Sequence, residues 1–345
     1  MTGTLNLQWQ IAALPKGVPQ ASDFRWVEAS SPILRDGDVR VRNIFLSLDP
    51  TNRLWISGEE TYFAAQCIGD VVRGGAIGIV EESANTHLKV GDLVSGLLGW
   101  QLYYTGPGRR VSLLSPIETI PLLAYHGVLG AVGLTAYFGL LEVGRPELGE
   151  TVLVSAAAGA VGSLVGQIAK IKGCEVVGLA GSDDKCKWLT EELGFDAAIN
   201  YRTANLNEEL QETCRKGVDI YFDNVGGEIL NAALGCINRK GRVVTCGLIS
   251  QYNAETPSHN LSNLSRFLIQ RARMQAFIVV DYLPRAAEAL PHLTEWLLEG
   301  RLKYRVDLVQ GLEHAPQALN RLFDGSNQGK LVVQVSPAPV GQHGR

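Results

Sequence analysis

The pattern of apolar and polar positions changes character near residue 125. Before it, short apolar stretches alternate with polar positions and are broken by glycine, as in residues 38–49 (DVRVRNIFLSLD), 73–83 (RGGAIGIVEES) and 90–100 (VGDLVSGLLGW). This alternation predicts the strands of a β-barrel or sandwich. After it, strand-length apolar runs at 151–156, 175–180, 197–200, 219–224, 242–246 and 276–280 alternate with helical segments, among them 133–141, 183–193 and 228–237. That order predicts an α/β domain with a doubly wound parallel sheet, ligands binding beyond the carboxyl ends of its strands. The tail, 306–335, holds a strand, a helix over 315–323 and an apolar strand at 330–335. It is expected to return to the first domain, with the terminal PAPVGQHGR frayed.

Residues 151–173 read TVLVSAAAGAVGSLVGQIAKIKG, an apolar strand, a glycine-broken turn and a helix. Ala156-x-x-Gly159-x-x-Gly162 is a variant of the G-x-G-x-x-G spacing. Gly159 and Gly162 let backbone approach a pyrophosphate, and the following helix aims its N–H groups and partial positive charge at it. The same composition also serves where a helix merely packs close to a strand, so the motif gains weight from its strand–turn–helix context.

Composition narrows the picture further. A chain of 345 residues exceeds most single cores, which predicts two domains. Hydrophobic content of 46% and charged content of 19% are those of a soluble globular protein, and a net charge of −4 gives no basic surface for nucleic acid. The start, MTGTLNLQWQIAALPKG, lacks the basic and sustained apolar regions of a secretory signal. The uncharged run 119–141 contains Pro121, His126 and several glycines, and reads as a buried helix with its lead-in rather than a membrane span. The six cysteines form no C-x-x-C pair, so the expectation is small core residues, no disulfides and a cytoplasmic location.

An NAD-binding unit carries an acid at the tip of its second strand to accept the ribose hydroxyls. Here that tip holds Gly181 and Ser182, with Lys185 one helical step on and Tyr201 after the third strand. A lysine and hydroxyl donors attract a 2′-phosphate that a carboxylate would repel, which points to NADPH over NADH. Asp183 and Asp184 lie close by and are read as caps of the helix that starts there. Residues 223–227 (DNVGG) and 246–253 (CGLISQYN) close the fourth and fifth strands and are expected to face the cofactor.

These blocks together resemble the zinc-independent medium-chain dehydrogenase/reductases that reduce activated carbon–carbon double bonds, such as prostaglandin reductases, curcumin reductase and plant alkenal reductases. The likeness runs from LSLDP (46–50) to NQGK (327–330), and is most specific in GLTAYFGLLEVG (133–144), AAAGAVGSLVGQIAK (156–170), GSDDK (181–185), FDNVGGE (222–228) and CGLISQYN. It implies a GroES-like barrel over residues 1–127 and 308–345, and a Rossmann NADPH-binding domain over 128–307. It implies that Ala158, Gly159, Ala160, Val161 and Gly162 hold the pyrophosphate, and that Gly181, Ser182, Lys185 and Tyr201 surround the 2′-phosphate. Asn224 is placed near the ribose and phosphates. Cys246, Gly247, Leu248, Ile249, Ser250 and Tyr252 cover the nicotinamide half, with Phe277, Ile278, Val279 and Asn327 at the same end.

The chain departs from the family's Asp-Pro-Tyr-Met-Arg, whose tyrosine lines the substrate pocket. Here Thr51 stands there, followed by Asn52. Thr51, Asn52, Tyr62 and Tyr103 are therefore expected to line a differently shaped pocket, with Trp55, Phe63 and Tyr104 as further candidates to refill it. The histidines are dispersed, and His126 in AYHGVLG has no cysteine at metal spacing, so a helix-packing role and no metal are expected. The resemblance implies reduction of an enone or enal by hydride transfer to the β-carbon, with Tyr252 as donor to the enolate oxygen. Alternatives are an NADPH:quinone reductase of the crystallin-like type and a non-catalytic NADPH-binding protein. A homodimer is expected, paired through the strand at 276–280 and the segment 265–274 before it.

Overall fold

A computed structural model describes residues 4–255 and 261–339. The chain divides into two compact units, one comprising residues up to 126 with 306–327 and those from 331 on, the other 127–305 with 328–330.

In the first unit β1 (Leu5–Ile11) and β2 (Phe24–Ser30) form an antiparallel ribbon. The remaining strands here are β3 (Asp38–Ser47), β4 (Ala76–Ser83), β5 (Leu93–Gly96), β6 (Tyr103–Pro107) and β7 (Val111–Leu113), with the short helix α1 (Thr51–Trp55) directly after β3. β3 is the spine, pairing antiparallel with both β4 and β6. Its register against β4 shifts between Asn43 and Phe45. An extra residue in one strand flips the alternation of faces. Val39 and Val41 before the shift therefore share a core cluster with Leu46 after it, while Ile44 and Phe45 pack into another with Ile77 and Leu123.

The second unit begins with α2 (Ala131–Phe138), continued by a wider π-helical turn, Gly139–Gly144. Then follow β8 (Thr151–Val154), α3 (Ala160–Ile171), β9 (Glu175–Ala180), α4 (Asp183–Lys187), β10 (Ala197–Asn200), α5 (Leu206–Thr213), β11 (Val218–Asp223), α6 (Gly227–Cys236), β12 (Ile237–Thr245), α7 (Leu264–Gln270), β13 (Arg273–Ala276) and α8 (Ala286–Leu298). The six strands lie in the order β10-β9-β8-β11-β12-β13, and every pairing is parallel. All of β8 and most of β11 are buried, as expected of central parallel strands covered on both faces. The order reverses between β8 and β11, so the ends of these two strands flank the switch point where doubly wound sheets bind ligands. The tail adds β14 (Val306–Gln310), α9 (Ala315–Asp324) and β15 (Lys330–Gln334), and β15 pairs antiparallel with β3.

Three local expectations change. The sixth strand is Arg273–Ala276 rather than 276–280, because a 3-10 turn begins at Val279 and the Phe277 ring turns into the core. The helix expected over 183–193 is α4 followed by a π turn, Trp188–Glu192. The run 119–141 is a 3-10 turn, Leu122–Tyr125, and then α2, and no helix among the described residues is long and apolar enough to cross a membrane. Of the expected frayed terminus, residues 340–345 lie outside the described residues.

Candidate active site

The turn after β8 is held by backbone. Ala156 adopts a left-handed conformation (φ 46°), which lets the Gly159 N–H reach back to the Ala156 carbonyl at 2.9 Å. Such a φ is costly for alanine, and a glycine at the head of this motif would avoid the cost. The Ala157 N–H bonds the Leu179 carbonyl at 2.9 Å, tying the turn to the end of β9. Gly159 is the N-cap of α3, and no side chain caps that helix. A methyl built on Gly162 would lie 2.8 Å from the Ala157 Cα and nearer still to the Ala156 carbonyl oxygen. The helix therefore meets the turn at a distance only glycine allows. The tail reinforces the spot: Gly329 bridges Gly159 in parallel, and the Lys330 N–H donates to the Arg305 carbonyl at 2.9 Å. An uncapped helix start behind a close glycine turn suits the pyrophosphate of a dinucleotide.

At the tip of β9, a methyl on Gly181 would lie 3.0 Å from the Tyr201 hydroxyl and 3.3 Å from Arg202 Nε. The missing side chain thus leaves room where a hydroxyl and a guanidinium converge. Arg202 escaped the sequence reading, although it directly follows Tyr201; the Tyr-Arg pair after the third strand was the available signal. The N-cap of α4 is Ser182, whose hydroxyl accepts the Lys185 N–H at 3.3 Å. Asp183 and Asp184 instead occupy the first turn, and the Asn200 amide donates to Asp183 at 2.8 Å. Acids there are favoured by the helix dipole, and a neighbouring amide already occupies one of them. A lysine backbone, a tyrosine hydroxyl and an arginine around a side-chain-free tip fit a 2′-phosphorylated adenosine ribose.

The ends of β8, β11 and β12 are laced together. One oxygen of Asp223 accepts from Tyr221 Oη (2.7 Å), Gly226 N (2.8 Å) and Val225 N (3.0 Å). Burial raises the Asp223 carboxyl above its usual range despite these bonds. Asn224 is locked onto Ser155: its N–H donates to the serine hydroxyl at 2.9 Å and its amide to the Ser155 carbonyl at 2.7 Å. The Ser250 hydroxyl donates to the Val225 carbonyl at 2.6 Å, which fastens the 246–252 loop to the 224–227 turn. Within that loop the Leu248 N–H donates to the Tyr252 hydroxyl at 3.1 Å. Burial pushes the Cys246 thiol up to about 12, so it is no nucleophile at neutral pH. Phe277 and Ile278 follow β13, but the Phe277 ring is buried, edge-on against Phe222 at 6.3 Å and over Gly139.

On the first unit, Thr51 opens α1 and its hydroxyl is hydrogen-bonded to that of Tyr62. Asn52 does not line a pocket. It is fully buried, its amide oxygen accepting the Asp49 N–H at 2.7 Å and its nitrogen donating to the Arg73 carbonyl at 3.1 Å. Tyr103 is also set apart. It pairs with Arg42 on β3, five residues before the strand ends at Ser47 and thus about 16 Å along it. Tyr104 is core. Asn327 is buried, with its N–H toward the Arg321 carbonyl at 3.4 Å. His126 Nε2 donates to the Phe45 carbonyl at 3.0 Å and anchors β3.

Residues 7–114 match the family described as the N-terminal domain of oxidoreductase, and residues 160–298 that described as zinc-binding dehydrogenase. Among the described residues, no group of three or more His, Cys, Asp or Glu is placed to hold a metal ion. The NADPH-dependent curcumin reductase of Escherichia coli (strain K12) is 40% identical over 336 residues, spanning 96% of this chain and 97% of that protein. The NADP(+)-dependent 2-alkenal reductase of Nicotiana tabacum is 42% identical over 309 residues, 87% of this chain and 88% of that one. The crystal structure of CurA in complex with NADPH from Vibrio vulnificus matches with a TM-score of 0.91 at 40% identity, covering 96% of this chain and 100% of that chain. With likeness over nearly its whole length and a strand–glycine turn–helix of this geometry, the chain belongs to the zinc-independent medium-chain dehydrogenase/reductases, in their NADPH-dependent double-bond reductase group.

Proposed function

We propose that the protein uses NADPH and a proton from solvent to reduce the C=C bond of α,β-unsaturated ketones and aldehydes, with hydride delivered to the β-carbon, negative charge developing on the carbonyl oxygen, and the α-carbon of the enolate then taking the proton. NADPH, when bound, supplies the hydride. The chain's task is to hold the partners in register and stabilise the enolate. The Gly159–Gly162 turn and the start of α3 would hold the pyrophosphate, and Lys185, Tyr201 and Arg202 the 2′-phosphate. Asn224, fixed by Ser155, would orient the ribose side.

The observation that carries the reading is the setting of Tyr252. Its hydroxyl accepts the Leu248 N–H inside a loop pinned by Ser250 and Asp223. Accepting a donor polarises a phenol toward giving its own proton, and a pinned loop fixes the direction in which it gives it. A preorganised donor at a developing oxyanion is worth about 2.7–4 kcal/mol. Tyr252→Phe is therefore expected to lower turnover roughly 10²–10³-fold while NADPH affinity stays within twofold. The assay is NADPH oxidation over alkenals, aryl and cyclic enones and quinones, with products identified. Wild-type turnover of quinones alone, or a Phe variant as fast as wild type on a sluggish enone, sinks the reading.

The assembly we propose is a homodimer. β13 is an outer strand of its sheet, and all four of its residues are exposed. Met274 lies on this strand, and Leu268 and Ile269 on α7 before it are exposed too. An open strand edge flanked by apolar side chains is a template for a second copy. Met274→Lys is expected to yield monomers in light scattering; a wild-type monomer overturns the proposal. Six free thiols support a reducing, cytoplasmic setting.

A further inference from the structure

Gln167 is a polar side chain with only 3% of its surface exposed, about two helical turns beyond Gly159 in α3. Its amide nitrogen donates to the Ser163 and Lys303 carbonyls, each at 2.9 Å, and its amide oxygen accepts the Lys303 N–H at 2.8 Å. Gln167 therefore pairs with Lys303 as a neighbouring strand would, one bond in each direction. Lys303 lies in the segment 302–305 after α8, which belongs to no helix or strand. A segment without a ladder must find partners for its backbone elsewhere. Leu302 is buried and its N–H donates to the Trp296 carbonyl at 3.0 Å. The Arg305 guanidinium pairs with Glu192 at 2.6 Å and lies over the Trp188 ring at 4.5 Å. The Arg305 carbonyl then accepts the Lys330 N–H, and Gly329, next to Lys330, bridges Gly159. Gly329 has φ 73°, and a methyl on it would collide with that same carbonyl. Backbone thus runs as a strap from the middle of α3 to its N-cap, and every residue of it lies in the second unit.

We propose, building on the reading that the Gly159–Gly162 turn takes the pyrophosphate, that Gln167 is a positioning residue for NADPH: through Lys303, Arg305 and Gly329 it holds the start of α3 in the form that receives that group. No side chain caps α3, so the order of its first N–H groups depends on the backbone that lies against Gly159. A turn ordered before the cofactor arrives spends less of the binding free energy on ordering it. Gln167 acts through these backbone groups, and its effect falls on cofactor affinity rather than on hydride transfer. NADPH and NADH share the pyrophosphate, so both are affected alike, unlike a change at the 2′-phosphate.

The test compares Gln167→Met, which keeps the shape and loses both bonds to Lys303, with Gln167→Asn, which keeps the carboxamide but is one methylene short. Calorimetry gives Kd for NADPH and NADH, and hydrogen exchange read by mass spectrometry follows the backbone of 159–163. Each variant is expected to raise both Kd values roughly three- to tenfold, the worth of one hydrogen bond, with their ratio within twofold of wild type. KM for NADPH rises in step while kcat stays within twofold. Exchange over 159–163 is expected to quicken without cofactor and to return to the wild-type rate at saturating NADPH, with α6 unchanged. A lower Tm with both affinities unchanged makes Gln167 a structural residue only and overturns the proposal. So does a loss confined to NADPH, or a fall in kcat with KM unchanged. Unchanged exchange over 159–163 defeats the strap, whereas faster exchange with wild-type affinities defeats the pyrophosphate reading and the proposal with it.

Discussion

Gly162→Ala probes directly the turn proposed to hold the pyrophosphate. A methyl at Gly162 falls about 0.6 Å short of ordinary contact with the Ala157 Cα, and is more crowded against the Ala156 carbonyl. Both obstacles are backbone, and the turn is pinned at Ala157 by the Leu179 carbonyl. It cannot yield as a side chain would. Overpacking on this scale costs about 1–3 kcal/mol. In a domain of this size that lowers Tm by roughly 3–10 °C. If the turn opens instead, the N–H groups proposed to hold the pyrophosphate would retreat toward the edge of hydrogen-bond range. Losing one such charge-assisted bond, about 1.5–3 kcal/mol, raises the NADPH Kd roughly 10–100-fold. Gly159→Ala is the informative companion. A methyl there meets only the Ala156 carbonyl oxygen, at 3.0 Å, and φ is an ordinary −78°. It is expected to leave Tm within about 2 °C while weakening NADPH, because the methyl faces the ligand rather than the protein. Thermal unfolding without ligand and NADPH fluorescence titration read the two effects separately. Gly162→Ala with unchanged Tm and a Kd within twofold of wild type would refute the reasoning.

Other outcomes follow from the geometry. Arg202→Ala is expected to raise KM for NADPH about tenfold or more and leave NADH use unchanged, since a guanidinium at the β9 tip would attract the extra phosphate that NADH lacks; equal losses for both cofactors would assign it a structural role. Burial alone would raise the Glu150 carboxyl, but the two-pronged bond from Arg242, with the Glu147 N–H, holds it below its ordinary value of 4.5. Its stabilisation is complete above that value and is lost as pH falls through the lower folded one. Glu150→Gln should therefore cost about 1–3 kcal/mol in urea unfolding at pH 7, with the gap closing well below pH 4.5. Burial raises Cys174 to about 11 and Cys214 to about 12, while Cys67 is exposed. Alkylation at pH 8, mapped by mass spectrometry, is expected at Cys67 first, with Cys174, Cys214 and Cys246 reacting only on unfolding.

The alternation of strand and helix after residue 125 was legible because each element there is local. An apolar run of six residues buried on both faces, a glycine turn and an amphipathic helix are decided by neighbours within a few positions. Element ends were less legible. Phe277 and Ile278 carry strand-like side chains, yet the strand stops at Ala276 because the Phe277 ring fills the space over Gly139, a residue 138 positions earlier. Ser182 and the two aspartates that follow it are all good caps; only the backbone geometry assigns the cap to Ser182.

By itself the chain determined a strand–turn–helix with two glycines, a β9 tip without an acid, and a loop ending in Tyr252, because such features depend on residue type and short spacing. What the tertiary structure alone decided is which polar side chains meet. Asn52 and Thr51 are adjacent and both neutral and polar, yet the first is spent on Asp49 and Arg73 and the second reaches Tyr62. Tyr103 is carried away from them by the register of β6 on β3, and Arg202 is brought to Gly181 by the pairing of β10 with β9. Convergence of residues distant in sequence is set by strand register and loop packing, and these follow from burial of the whole core rather than from any short stretch of it.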